Sequence, residues 1–451
     1  MSNLTKGKIS TTLLKFAIPV LFASLLQALY GAADLFVVGQ FSDSAAVSAV
    51  AIGSQVMQTI TGIILGISMG GTVLIGRRIG EKNAEGTAKA IGSLSILFIL
   101  FAIILTPLMF LATNSAISLM HTPLEAISFT RQYIIICSLG IPFIIGYNAV
   151  SGIFRGLGDS KTPVYFVLIA CIVNIIVDVV LVGVLKFGAI GAAIATISSQ
   201  AISFIISLIY MIKKGFSFEI NKKHFKLDKE SVKYILIVGF PLALQDALVN
   251  ISFLIITAVI NTMGLVASAA VGVVEKIIIF AMLPPTAFGS AVSAMTAQNI
   301  GAGEIKRAKT VLRYGIIYSL IFGVLAMIYS QLYPETLTSI FSNDINVVKV
   351  AGEYLKSFSI DCIMVSFVFC MNGYFSGQGK STISLIHSLI ATFGFRIPLT
   401  YFISRIDGVT LYELGLAAPI STFVSIIICF GYFYWQNRKE KLSTNENIIA
   451  S

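Results

Sequence analysis

Seven ionisable side chains stand inside runs of sequence that are otherwise almost free of charge: Asp34, Asp178, Asp246, Glu275 and Asp361, with Lys276 and Arg396. Charges at membrane depth are costly, so such residues face a bundle interior or a water-filled path and mark the route of an ion or substrate. Low dielectric disfavours the charged form of a carboxylate, and two carboxylates side by side cannot easily both stay ionised. Such a group takes up and releases a proton. An ionised pair attracts a lipophilic cation and a protonated pair releases it. Competition for one charge is enough to exchange proton and cation in opposite directions. Asn174 and Asp178 stand at i and i+4 and share a helix face.

The elements that must position these groups follow from composition. Of 451 residues, 56% are hydrophobic and 12% charged, and the mean hydropathy is +0.91. A water-facing domain carries about 25% charged residues, so a soluble enzyme, a nucleic-acid-binding domain and a disordered chain are excluded. A span needs about 20 apolar residues. Twelve runs qualify, at 13–38, 49–76, 88–112, 130–154, 162–185, 188–212, 234–260, 266–297, 310–333, 353–377, 381–403 and 412–436. They are continuous rather than alternating, which excludes a β-barrel. The first run is too long for a cleavable leader and is read as the first span. Cys137, Cys171, Cys362, Cys370 and Cys429 lie singly in apolar runs, without a metal or disulfide spacing, and read as small hydrophobes. The expected fold is therefore all-α, a polytopic membrane protein of twelve helices.

With the amino terminus cytoplasmic, the inner segments hold 24 of the 31 Lys and Arg and the outer loops five. That bias places both termini in the cytoplasm. The basic stretch 213–233 then divides the chain into a first lobe at 1–212 and a second at 234–437, with a cytoplasmic tail at 438–451. The halves repeat each other. Pro19 in AIPVL recurs as Pro241 in GFPL, Ile79-Gly80 as Ile300-Gly301, and Gly152-Ile-Phe-Arg-Gly-Leu-Gly158 as Gly373-Tyr-Phe-Ser-Gly-Gln-Gly379. Six spans per half make the repeats parallel, two pseudo-symmetric lobes related about the membrane normal, an architecture in which substrate passes between lobes that rock. A channel or a scaffold could be built from the same duplication. The glycine segments lack the strand and the GKS/T ending of a phosphate loop, so transport is expected to draw on an ion gradient.

Depth narrows the candidates. Spans 1 and 5 run outward and spans 4 and 6 inward, so Asp34, Asn174, Asp178, Tyr133 and Thr196 can share the outer half of the first lobe. Other readings of single residues stand beside this one. Asp34 near a span end could be interfacial and solvated, Tyr133 could belong to an aromatic belt, and Thr196 could bond back to its own helix. Pro19 removes one backbone hydrogen bond and gives span 1 a bending point, or is an ordinary kink. In the second lobe, Asp246, Glu275, Lys276, Asp361 and Arg396 either neutralise one another, as Asp361 with Arg396 or Asp246 with Lys276, or form a charged cleft wall or second cation site. His387 is isolated and reads as packed and hydrogen-bonded. Phe, Tyr and Met could line a promiscuous cleft, but lipid-facing helices contain them too.

Over residues 10–437 the sequence resembles the multidrug and toxic compound extrusion (MATE) transporters. The resemblance rests on Pro19 and Asp34 in FAIPVLFASLLQALYGAADLFVVGQF, on Asn174-Ile-Ile-Val-Asp178, on Gly191-Ala-Ala-Ile-Ala-Thr196 and on the twin glycine segments. The spacing is most similar to the DinF-like branch. That resemblance implies a V-shaped pair of lobes, with Asp34 and Asp178 as coupling carboxylates. Tyr133, Asn174 and Thr196 belong by the same resemblance to their hydrogen-bond network, and Pro19 is the point about which span 1 bends. The NorM-like branch carries acids in spans 7 and 10, and this sequence has none at the matching positions, Val249-Asn250 and Val365. The function implied is secondary active export of lipophilic, often cationic compounds in exchange for H⁺ or Na⁺ by alternating access. A Na⁺ would sit at Asp34, Asn174, Asp178 and Thr196. A lipid-linked oligosaccharide flippase and a passive channel are the alternatives. No enzymatic activity, cofactor, other metal or nucleic acid is expected. The expected partners are small molecules and membrane lipids, and the expected setting is a monomer in a bacterial plasma membrane.

Overall fold

The computed structural model describes residues 4–449, and among them every regular element is helical. Ten helices are long and apolar enough to cross a bilayer, and two bent pairs bring the number of spans to twelve. In chain order they are α1 (Ile9–Phe41), α2 (Ser44–Gly80), α3 (Ala84–Leu119) and α4, in which Leu124–Leu139 and Ile141–Gly156 meet at 47°. Next come α5 (Lys161–Val184), α6 (Gly188–Lys214), α7 (Lys229–Asn261), α8 (Leu265–Gly301) and α9 (Ile305–Leu332). The last three are α10, in which Ile345–Ser359 and Asp361–Gly377 meet at 43°, α11 (Thr382–Ile403) and α12 (Leu411–Glu440). The helix of α12 continues to Ile449, so most of the expected tail is helical, while residues 1–3, 450 and 451 lie outside the described residues. The basic connection between lobes is shorter than 213–233. Lys213 and Lys214 close α6 and Lys229–Lys233 open α7, leaving 215–228 between them.

Short acidic and amide side chains start the helices at both faces. Asp43, Asn83, Asp228 and Asp344 each accept from a backbone N–H of the first turn of α2, α3, α7 and α10, satisfying donors that have no intrahelical partner. The twin glycine segments end α4 and α10 in the same way. Gly158 N donates to Arg155 O and Asp159 N to Phe154 O, as Gly379 N does to Ser376 O and Lys380 N to Phe375 O. Both terminal glycines have positive φ, 86° and 81°, the left-handed conformation that such a helix stop requires.

Packing crosses the division of the chain. Leu13, Phe16, Ala17 and Val20 of α1 are buried with Ala287, Phe288 and Ala291 of α8. Reciprocally, Ile235 and Ala243 of α7 are buried in the first-half cluster with Ile64 and Ile67 of α2. Every close glycine approach between the halves lies toward the face carrying the amino terminus. A Cβ on Gly66 would stand 2.5 Å from Ala243 N, one on Gly80 2.0 Å from Gln298 O, and one on Gly301 2.1 Å from Arg77 O. The last two contacts are mirror images under the repeat. Gln298 Nε2 also donates to Gly156 O at 2.9 Å, while its Oε1 accepts from Leu4 N at 3.2 Å. The halves are thus sealed backbone to backbone at this terminal face.

Candidate functional site

The first-lobe site is assembled by three helices, α1, α5 and α6. Asp34 lies on α1, seven residues before its end, and is buried at 4% exposure. Asn174 and Asp178 lie on one face of α5, both at 0% exposure. Asp178 is the last α-helical residue before a π turn, Val179–Val184; such turns displace the helix ladder and occur often at functional sites. Thr196 on α6 donates to Asp34 Oδ2 at 3.1 Å, so its hydroxyl serves the carboxylate rather than its own helix. Asn174 and Asp178 adjoin the Asp34 carboxyl.

Most of the polar capacity of this cluster is unused. Asp34 Oδ1, both Asp178 oxygens, and the amide O and N of Asn174 are buried without a partner in hydrogen-bonding geometry. Buried polar atoms are rarely left so. No basic residue forms an ion pair with either acid among the described residues. Two adjoining carboxyls, an amide oxygen and a hydroxyl are hard donors that fit a shared proton or an alkali cation. Among the described residues no three His, Cys, Asp or Glu side chains converge on a possible metal position.

Tyr133 is brought to the edge of this cluster, not into bonding contact with Asp34. Its ring is buried at 2% exposure, and its hydroxyl pairs with Ser54 Oγ at 3.0 Å. The ring lies on the backbone of α2 at Gly53, where a Cβ would stand 2.2 Å from it. Three residues that the sequence reading missed complete the surroundings: Ser54, Tyr30 and Gln200, the last donating to the Tyr30 hydroxyl at 3.5 Å. A signal was available. Tyr30 precedes Asp34 by four residues and Gln200 follows Thr196 by four, so each shares a helix face with a candidate.

The second-lobe charges gather differently. Arg396 closes a π turn in α11, Thr392–Arg396, and its guanidinium lies over the Phe253 ring at 4.5 Å. Glu275 accepts from Thr257 at 3.5 Å, and Asp361 Oδ1 and Arg396 Nε are both buried without a partner. The expected pairs do not form as contact ion pairs. Neither Asp361 with Arg396 nor Asp246 with Lys276 comes within 4.0 Å among the described residues. The physical reason is placement: the Arg396 guanidinium is taken by an aromatic face. Lys276 and Asp246 are exposed, and a Cβ on Gly62 of the other half would stand 3.8 Å from the Asp246 Cβ. His387 is buried between Asn372 Oδ1, 2.6 Å, and Ser425 Oγ, 3.2 Å. At the repeat offset of 221 or 222, Glu275, Tyr354 and Arg396 occupy the places of Gly53, Tyr133 and Asn174. The duplicated frame therefore holds a pair of acids in one lobe and an arginine with acids in the other.

Comparison with known proteins adds a family. The profile of the family described as MatE matches residues 19–180 and again 241–402, two matches displaced by the repeat and each beginning at a proline. The probable multidrug resistance protein YoeA of Bacillus subtilis is 26% identical over 435 residues, covering 95% of this chain and 94% of that protein. The probable multidrug resistance protein YpnP of the same organism is 28% identical over 446 residues, covering 98% and 99%. A solved structure described as an outward-facing conformation of a multidrug resistance MATE family transporter of the MOP superfamily superposes with a TM-score of 0.90. It is 22% identical, with 98% of each chain covered.

Proposed function

The chain belongs to the MatE family, and from that premise we propose that it exports lipophilic, often cationic small molecules in exchange for H⁺ or Na⁺. It is a transporter and not an enzyme. The observation that carries the proposal is the buried Asp34–Asp178 pair, with Thr196 as its hydrogen-bond donor and no basic partner among the described residues. An uncompensated pair of acids at membrane depth is stable only when something positive neutralises it. A proton, a sodium ion and an organic cation are the candidates, and each excludes the others. Asn174 and Thr196 supply the further contacts that a bare ion needs, and Tyr133 closes the side toward α2. The relatives named as multidrug resistance proteins support the substrate class.

In this reading the terminal face is cytoplasmic, in keeping with its excess of Lys and Arg, and the protein sits in a plasma membrane as a monomer. The lobes at 1–212 and 234–437 alternate access by rocking, with α1 bending at Pro19, and the cytoplasmic seal corresponds to the outward-open state. The first-lobe acids favour the DinF-like branch. The test is dye accumulation in inside-out vesicles, where export runs inward, driven separately by a pH or a Na⁺ gradient. Asp34→Asn and Asp178→Asn are expected to abolish gradient-driven efflux while leaving the protein folded. If both variants retain full gradient-driven efflux, the coupling assignment is wrong. Flux without any gradient, downhill only, would make the protein a channel.

A further inference from the structure

The connection between the halves, 215–228, has two faces, and one of them is spent inside the protein. Phe216, Phe218 and Ile220 are half-buried against the first-half core, the two rings stacked at 5.5 Å, and His224 is buried. The residues that follow are fastened to α3 by their backbone. Lys226 O accepts from Ser93 Oγ at 3.1 Å, and Asp228 N donates to the same hydroxyl at 3.1 Å. The glycine beside that serine allows the approach, since a Cβ on Gly92 would meet His224 O.

That fastening fixes a depth. Lys89 is the last charge on α3, and Gly92 and Ser93 stand just beyond it, about 5 Å along the axis at 1.5 Å per residue. The uncharged stretch 90–119 is about 45 Å long by the same rise, the thickness of a bilayer with its headgroup layers. Residues 224–228 therefore lie at the level of the headgroups of one leaflet.

The other face is uncovered. Phe225 and Leu227 are 47% and 48% exposed. Lys222, Lys223, Lys226 and Lys229 are exposed beside them and form no ion pair among the described residues. Neighbouring acids are taken by other groups. Asp228 accepts from Ser231 N and Oγ, Glu230 pairs with Arg78 at 2.8 Å, and Glu85 accepts from His224. An aromatic and an aliphatic side chain among lysines at headgroup depth have the makeup of an interfacial anchor. The apolar groups reach the acyl boundary and the ammonium groups meet phosphates.

We propose that residues 222–229 are a docking surface for anionic phospholipid headgroups, so that the segment joining the halves is held between α3 and the lipid surface. The surface is independent of what the protein carries.

The reporter is Phe225→Trp in a Trp435→Phe background, which removes the chain's one native tryptophan. The full-length protein is placed in nanodiscs of equal parts phosphatidylglycerol and phosphatidylcholine, with one lipid or the other brominated near the glycerol end of its acyl chains. Tryptophan quenching then gives the relative association constant of the two lipids at this surface. It is expected to favour phosphatidylglycerol at least about fivefold, the factor that one lysine near an anionic surface is worth. Lys222→Gln/Lys223→Gln/Lys226→Gln should bring it close to one, and an unchanged melting temperature checks that this variant is folded. Leu111→Trp in the same background, on an exposed part of α3 far from the lysines, is expected to show no preference. Absence of quenching by either lipid would leave the segment in water, and equal quenching by both would make it an apolar anchor without charge recognition. A preference that survives loss of the three lysines, or that Leu111→Trp shares, would belong to the field of the whole protein. Each of these results overturns the proposal.

Discussion

Replacing Gly301 by alanine tests how the terminal face is held shut. The added Cβ would stand 2.1 Å from Arg77 O and 2.9 Å from Arg77 C, both backbone atoms of α2. Ordinary contact begins near 3.4 Å, so the ends of α2 and α8 must part by about 1.3 Å. Such a shift, carried by α8, takes the Gln298 Nε2 to Gly156 O bond from 2.9 Å to about 4.2 Å, beyond hydrogen-bond range. Loss of a buried hydrogen bond costs about 1–3 kcal/mol, and overpacking by one methyl adds about 1–3 kcal/mol. Even about 2 kcal/mol against the sealed state moves a two-state equilibrium roughly thirtyfold, at about 1.4 kcal/mol per factor of ten. Spin labels at the exposed positions Lys82 and Lys306 read the separation of the two helix ends, and all five native cysteines are buried and spare the labelling. Gly301→Ala is expected to shift population into a longer distance and to slow efflux. Gly431→Ala, where a Cβ meets nothing within 4 Å, is expected to do neither. A folded Gly301→Ala protein with the wild-type distance distribution would refute the reasoning.

Two further outcomes follow from the geometry. Thr196→Val removes the hydrogen bond that Asp34 accepts from the Thr196 hydroxyl and adds no volume; a bond to a charged group is worth about 1.5–3 kcal/mol. Gradient-driven efflux should fall at least tenfold, and Thr196→Ser should recover it; full activity of the valine variant would remove Thr196 from the site. Outside the membrane, the connection 215–228 is docked on α3 through His224. Its Nδ1 accepts from Asn221 N, so Nε2 carries the proton donated to Glu85 Oε2 at 3.0 Å. The His224 hydrogen bond holds the Glu85 carboxyl below its ordinary value of 4.5. A lowered folded value means that this docking is fully present above 4.5 and is lost as the pH falls below it. Protection factors of residues 221–226 against amide exchange should fall below that pH in wild type and already be low at pH 7 in Glu85→Gln; protection insensitive to both changes would count against the docking.

The spans were legible because membrane insertion depends on additive properties of a local window, and length and hydropathy are such properties. The two bent spans were not. The break between Leu139 and Ile141 and the one at Ile360 leave hydropathy unchanged, so the sequence reads each as one run. Of the site, the five first-lobe residues were nameable from charge, polarity and depth. Their contacts were not: Thr196 reaches Asp34 across 162 residues of chain, while Tyr133, equally well placed by depth, turns to Ser54. The second-lobe charges show the same limit, because opposite sign suggested pairing and the Arg396 guanidinium lies on Phe253 instead.

By itself the sequence determined that this is a twelve-span membrane protein, that its halves are repeats, and that a few acids stand where acids are expensive. Each is a property of composition or of self-similarity along the chain. Only the tertiary structure decided which acids meet and that the first helix of each half is packed into the other half. Those depend on the rotation of each helix about its axis and on how two glycine-bearing surfaces lock together. The packing of the whole bundle sets both, and no local window records them.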